Sequence, residues 1–197
     1  MADSLYLSLW FSDFDEENML ARALAVMHLF PFSVQQPGIS QVILQPVSWN
    51  EATVLEERFR PGITPEEAAQ VASDLLHDDY AYVFEAAWDL WSPPPSGEQW
   101  ILQPVGVKFI ARGAEFEEGE SQHEGHVQVD FGFDTPFLHE EVEFTGEVES
   151  RVRANVHKLI EFTNKVEKNS GASARLLWSE SEENLAQKLI ARLQKVQ

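Results

Sequence analysis

The chain has 197 residues, with 33 Asp and Glu against 14 Lys and Arg, a formal net charge of −19 and no cysteine. A hydrophobic fraction of 44%, including 13 Phe and 6 Trp, predicts a folded core of one or two domains rather than a disordered chain. The lack of cysteine excludes disulfides, thiolate metal sites and thiol nucleophiles. The acidic excess argues against nucleic-acid binding, because such proteins attract phosphates with surplus Lys and Arg.

Residues 1–91 predict the order strand, helix, strand, strand, helix, strand. Apolar runs or alternating patterns predict strands over residues 5–11, 40–47, 53–59 and 80–90. Apolar residues at helical spacing predict helices over residues 19–27 and 65–76. The second helix has the clearest local signal, since Thr64-Pro65-Glu66-Glu67 is typical of a capping box with Pro at the first helical position. This order favours a ferredoxin-like βαββαβ unit in an α+β fold.

The sequence of residues 92–197 predicts a second α+β half. It begins with a Pro-rich loop at 92–97 and continues in the order ββαβα. Its strands are expected over 100–112, 126–133 and 175–178, and its helices over 150–168 and from 179 to the last residue. The pentapeptide Ile-Leu-Gln-Pro-Val occurs at 43–47 and again at 101–105. Either the two halves form a duplicated sandwich, or they share one extended antiparallel sheet with helices on one face. In both cases we expect them to pack as one compact body.

No segment of the sequence resembles a membrane span or a secretory signal. Residues 1–14 lack a basic region, and the longest apolar stretch, 19–32, is short and contains Arg22 and His28. We therefore expect a soluble cytoplasmic protein with no membrane partner.

One strand face combines imidazole and carboxylate groups. His126, Asp130 and Asp134 alternate with apolar residues, and His123 and His139 lie nearby in sequence. These are ligand types for a divalent metal, and a neutral His can act as a general base. His126 and Asp130 are four strand residues, or about 13 Å, apart, so they need further ligands to hold one ion. The alternative is a half-exposed strand with outward polar residues beside a solvated acidic loop.

Three tryptophans are candidate binding residues. Trp49 lies in a predicted turn, while Trp91 and Trp100 flank the Pro-rich loop. Exposed Trp often marks a binding surface, and consecutive prolines favour an extended segment that a partner can recognise. The alternative is that these tryptophans close the edge of the core and the prolines stiffen a hairpin connection.

Charge divides unevenly along the chain. Residues 1–149 hold 28 acidic and 5 basic residues, whereas residues 150–197 hold 5 acidic and 9 basic residues. The sequence contains no nucleotide-binding, hydrolase, zinc-protease or EF-hand motif, so it indicates no catalytic residue or cofactor. We therefore favour a non-catalytic acidic module that binds a basic protein partner. The alternatives are a metal-dependent enzyme or small-ligand binder that uses the His126, Asp130 and Asp134 face, and a self-associating structural protein.

Overall fold

The computed structural model describes residues 3–93, 99–137 and 146–180. These residues form a mixed α+β structure with one antiparallel sheet of seven strands in the order β3-β2-β4-β5-β6-β1-β7. The strands are β1 (Ser4–Trp10), β2 (Ile39–Pro46), β3 (Leu55–Arg58), β4 (Tyr80–Ser92), β5 (Ile101–Arg112), β6 (Val127–Phe133) and β7 (Ala174–Ser179).

Four α-helices accompany the sheet in this part of the chain: α1 (Met19–Met27), α2 (Pro65–Ala72), α3 (Ser121–Glu124) and α4 (Gly146–Asn169). The capping box predicted before α2 is confirmed. Thr64 Oγ1 accepts from the Glu67 backbone N–H at 3.2 Å, and Glu67 Oε2 accepts from the Thr64 N–H at 2.8 Å. The cap satisfies two backbone donors that the first turn of a helix leaves without intrahelical partners.

The core lies between one face of the sheet and the three longer helices. Across neighbouring strands, the buried side chains Val42, Phe84, Phe109, Val129 and Leu7 stand directly opposite one another. The helices α1, α2 and α4 contribute their buried residues to the same cluster. Of the two arrangements expected from the sequence, the structure shows the extended antiparallel sheet with helices on one face.

The strand order corrects the expected ferredoxin-like arrangement of residues 1–91. In that arrangement β1 would pair with strands of its own half, but here it lies between β6 and β7 of the second half. The physical reason is the long hairpin of β4 and β5, whose pairing runs from Ala81–Arg112 to Ser92–Ile101. This hairpin extends the sheet toward β6, and β1 and β7 follow in that order to the far edge. The two halves therefore share one sheet and do not form a duplicated sandwich.

Several sequence expectations fall outside the described residues. They are the final helix, the prolines at 94 and 95, and His139. Within the described ranges, no helix combines the length and the apolar character that a bilayer span requires.

Candidate functional site

The antiparallel pairing brings four loops to one end of the sheet. At this end of the sheet, Pro46 stands opposite Tyr80, and Ala81 stands opposite Arg112. Leu9 stands opposite Val127. The loops that follow or precede these strand ends are therefore neighbours. The loops are residues 11–18, 47–54, 73–79 and 113–126, which hold 13 Asp and Glu and no Lys or Arg. We call this surface the acidic end. Its acidic residues are Asp13, Asp15, Glu16, Glu17, Glu51, Asp74, Asp78, Asp79, Glu115, Glu117, Glu118, Glu120 and Glu124.

Backbone hydrogen bonds join three of these loops into one surface. The Glu117 N–H donates to the Val47 carbonyl at 2.9 Å, and the Glu115 N–H donates to the Asp78 carbonyl at 2.8 Å. Gly113 makes this approach possible, because a Cβ atom there would lie 2.1 Å from the Asp78 carbonyl oxygen. These bonds therefore hold three acidic loops together despite the repulsion between their like charges.

Trp49 lies within the acidic end and presents an apolar surface there. Trp49 is 40% exposed, and Val47 and Val54 of the same loop are 53% and 47% exposed. The indole N–H donates to Glu120 at 3.0 Å, and the ring meets Phe116 edge-on at a centroid distance of 4.9 Å. Trp49 is thus held in one position while part of its ring faces solvent.

Arg112 is the buried cation beneath this surface. Only 3% of it is exposed, its Nε donates to Glu120 at 2.6 Å, and its Nη2 donates to Gln128 at 2.8 Å. Its guanidinium carbon lies 5.7 Å from the Trp49 ring centroid, within cation–π range. Sequence reasoning missed this residue. The available signal was a single Arg at the end of an apolar strand, directly before a loop with five Glu.

His126 has a structural partner in the fold. Its Nδ1 accepts the Phe11 backbone N–H at 3.0 Å, and its ring stacks on Phe14 at 4.5 Å. Burial lowers the pKa of His126 below its usual value, because the charged imidazolium is disfavoured away from water. An Nδ1 that accepts from a backbone N–H is unprotonated, so His126 is neutral with its proton on Nε2.

The other predicted metal ligands are not gathered around His126. Asp130 Oδ1 accepts from the Gly132 N–H at 2.8 Å, and Asp134 Oδ1 accepts from the Asp3 N–H at 3.2 Å. His123 lies on α3, and His139 is outside the described residues. Within residues 3–93, 99–137 and 146–180, no group of three or more His, Asp or Glu is arranged to hold a metal ion.

The three candidate tryptophans do not form one surface. β4 separates Trp91 from the acidic end by about 35 Å, at the usual rise per strand residue. The Asn155 side chain binds the Trp91 backbone N–H and carbonyl at 2.9 and 2.7 Å, and the Arg151 guanidinium lies 4.8 Å from the ring centroid. Trp100 is buried at 7% exposure. Trp91 and Trp100 therefore belong to the packing at the opposite end of the sheet. Of the three candidate tryptophans, Trp49 is the exposed one.

Most basic residues of α4 have partners within the chain. Ion pairs along the helix join Arg151 to Glu147, Arg153 to Glu149 and Lys165 to Glu161. Lys158 donates to the Asp89 carbonyl at 2.7 Å, and burial lowers the pKa of this lysine. Much of the positive charge that suggested self-association is therefore balanced by acidic residues of the same helix.

Comparisons with known proteins give this chain no family. No protein-family model, curated protein or solved structure matches it. The acidic end, with Trp49 exposed inside it, is the feature of the described chain from which we infer a function.

Proposed function

We propose that this protein is a non-catalytic binding module that recognises a basic protein partner through the acidic end. The observation that carries the proposal is the gathering of 13 acidic residues at one end of the sheet, in loops with no Lys or Arg, one of which presents an exposed Trp. A surface of one charge sign steers an oppositely charged partner and raises the association rate.

Besides its charge, the acidic end has a second property of protein-binding sites, which is the exposed apolar area of Trp49. Binding energy in protein interfaces is concentrated in a few residues, and Trp is enriched among them when polar groups surround it. The carboxylates would set the rate and orientation of the encounter, while the partly exposed indole supplies apolar area. Arg112 and Glu120 hold the indole in place from beneath, so little side-chain freedom is lost on binding.

The test compares two variants that remove the same charge from different places. Glu51→Gln, Glu115→Gln and Glu118→Gln together neutralise three exposed carboxylates of the acidic end. Glu57→Gln, Glu147→Gln and Glu161→Gln together neutralise three exposed carboxylates on β3 and α4. Each protein, together with Trp49→Ala, is immobilised and exposed to soluble protein extract at low salt. Retained proteins are then eluted with increasing salt, identified, purified and titrated individually.

We expect at least one purified basic protein to bind the wild type and the β3/α4 variant equally. Its affinity should fall at least about tenfold for the acidic-end variant and for Trp49→Ala, as truncation of a central aromatic residue does in other interfaces. Equal loss of binding in both charge variants would contradict the proposal, because it would show that only the net charge matters. Retention of no specific protein at low salt would also contradict it.

A further inference from the structure

A second surface feature lies on the face of the sheet opposite the core. It is an open groove of about 260 Å³ that crosses β4, β5 and β6. Glu85, Lys108 and Asp130 stand directly opposite one another on these three strands and form one side of the groove. Ala87 and Gly106, also directly opposite each other, form its floor.

The groove exists because β6 leaves β5. The two strands pair only from Ala111 to Lys108, and the last pair is Lys108 with Asp130. Two residues further, Gly132 adopts a φ of +73°, and its N–H turns back to Asp130 Oδ1 at 2.8 Å. A positive φ is the conformation that glycine adopts without steric cost. Beyond Lys108, β5 therefore continues paired with β4 but without β6, and its backbone at Gly106 lines the groove.

Gly106 has no structural explanation within the fold. It lies inside a strand, where glycine is unfavourable, and its φ is outside the positive range. A Cβ atom at this position would meet nothing within 4 Å, so close packing does not require glycine either. Glycine inside a strand often marks a bulge, a tight bend, or a place where a ligand or another backbone approaches closely. The register of β5 with β4 is unbroken at Gly106, and no backbone atom lies within 4 Å of a Cβ atom there, which favours the approach of a ligand. The empty space over Gly106 opens into the groove.

The charges along the groove indicate what class of molecule would fit. Lys108 lies between two carboxylates, and its Nζ is 3.6 Å from Glu85 Oε1. Neighbouring strands are about 4.8 Å apart, so the backbone positions of Glu85 and Asp130 lie about 10 Å from one another across Lys108. A ligand with a carboxylate for Lys108 and ammonium groups for Glu85 and Asp130 complements this pattern. The volume of about 260 Å³ lies just below the range of about 300–1,000 Å³ that is typical of small-molecule sites, so a small ligand suits the groove.

We propose that this groove binds a free basic amino acid, with its carboxylate on Lys108, its ammonium groups on Glu85 and Asp130, and its carbon chain over Gly106. The site is separate from the acidic end and does not depend on the function proposed above. Glu85 is five residues along β4 from Tyr80, where the acidic end begins.

The test is an NMR titration of the ¹⁵N-labelled protein with L-lysine. We expect saturable shifts of the Ala87, Gly106 and Lys108 amide signals. Gly106→Val fills the floor of the groove, and Glu85→Gln removes one ammonium partner, so each should weaken the binding of L-lysine at least tenfold. Gly146→Ala is the matched control, since a Cβ atom at this glycine of α4 also meets nothing within 4 Å. It should leave the binding unchanged.

A thermal melt distinguishes loss of the site from loss of the fold. Gly106→Ala should melt at the same temperature as the wild type or higher, because a side chain favours the strand and meets no neighbour. A lower melting temperature for Gly106→Ala would show that the fold itself requires glycine and would overturn the inference. The absence of saturable shifts with L-lysine would overturn it as well, as would equal shifts in the wild type and Gly106→Val.

Discussion

His126 shows how a single side chain acquires its role from distant parts of the chain. The alternating pattern around it is that of a strand with a polar face, and Asp130 does line the groove beside Lys108. The partner of the His126 ring is the Phe11 N–H, which lies 115 residues away in sequence. Local periodicity carries no information about such a contact. The same reason explains why Arg112 was missed, since it binds Glu120 in a loop whose path the pattern does not define.

The neutral state of His126 makes folding stability depend on pH. Its folded pKa lies below the unfolded value of about 6.5, so the unfolded chain takes up the proton first as the pH falls. The stability that His126 contributes is therefore fully present above about pH 6.5 and is lost as the pH falls below that value through the folded pKa. Chemical denaturation at several pH values between about 7.5 and 5 would measure this loss.

The variant His126→Gln isolates the contribution of this one group. We expect a smaller loss of unfolding free energy over the same pH interval in His126→Gln than in the wild type. His157→Gln, which makes the same substitution at an exposed histidine of α4, is the matched control. Identical slopes for the wild type and His126→Gln would show that another group causes the effect.

At the scale of elements, α2 is the part of the chain that the sequence predicts best. Its start depends on contacts within four residues, since Thr64 and Glu67 satisfy each other's backbone donors. The strands were also predicted close to their observed positions, because one buried face leaves a period-two pattern. β3 is shorter than expected, covering only Leu55–Arg58, and its charged residues suit an edge strand that must not pair with other molecules.

The cap of α2 gives a prediction at this scale. Thr64→Ala removes the oxygen that accepts the Glu67 N–H, and we expect the free energy of unfolding to fall by about 1 kcal/mol. Thr64→Ser keeps a hydroxyl at the same place and should lose much less. Thr53→Ala, at an exposed loop position, should leave the stability unchanged. Urea denaturation of the three variants beside the wild type would measure these differences.

At the scale of the whole molecule, the dominant feature is the excess of negative charge. The chain carries 33 acidic and 14 basic residues, and most basic residues of the described ranges already have acidic partners. The remaining carboxylates repel one another, most strongly at the acidic end. Self-repulsion opposes the compact state, and dissolved salt screens it over distances of about 10 Å at 0.1 M.

We therefore expect the protein to become more stable as salt is added. Raising NaCl from about 20 to about 200 mM should increase the free energy of unfolding, because screening of the surplus carboxylates outweighs the weakening of exposed ion pairs. For a chain of this length, a gain of about 1 kcal/mol corresponds to a rise in Tm of about 2–4 °C. The variant with Gln at positions 51, 115 and 118 should respond less. A Tm that falls with added salt would contradict this account.

The sequence by itself determined the α+β class, most element positions, the α2 cap and the acidic character of the chain. These properties depend on composition, on contacts within four residues, or on the alternation that a buried face imposes. Tertiary structure alone decided that β1 joins β6 and β7, that four acidic loops lie at one end of the sheet, and that Gly106 opens a groove beside Lys108. Strand pairing joins residues more than a hundred positions apart, and many strand orders satisfy the same local pattern. The candidate sites lie where those long-range pairings bring separate segments together.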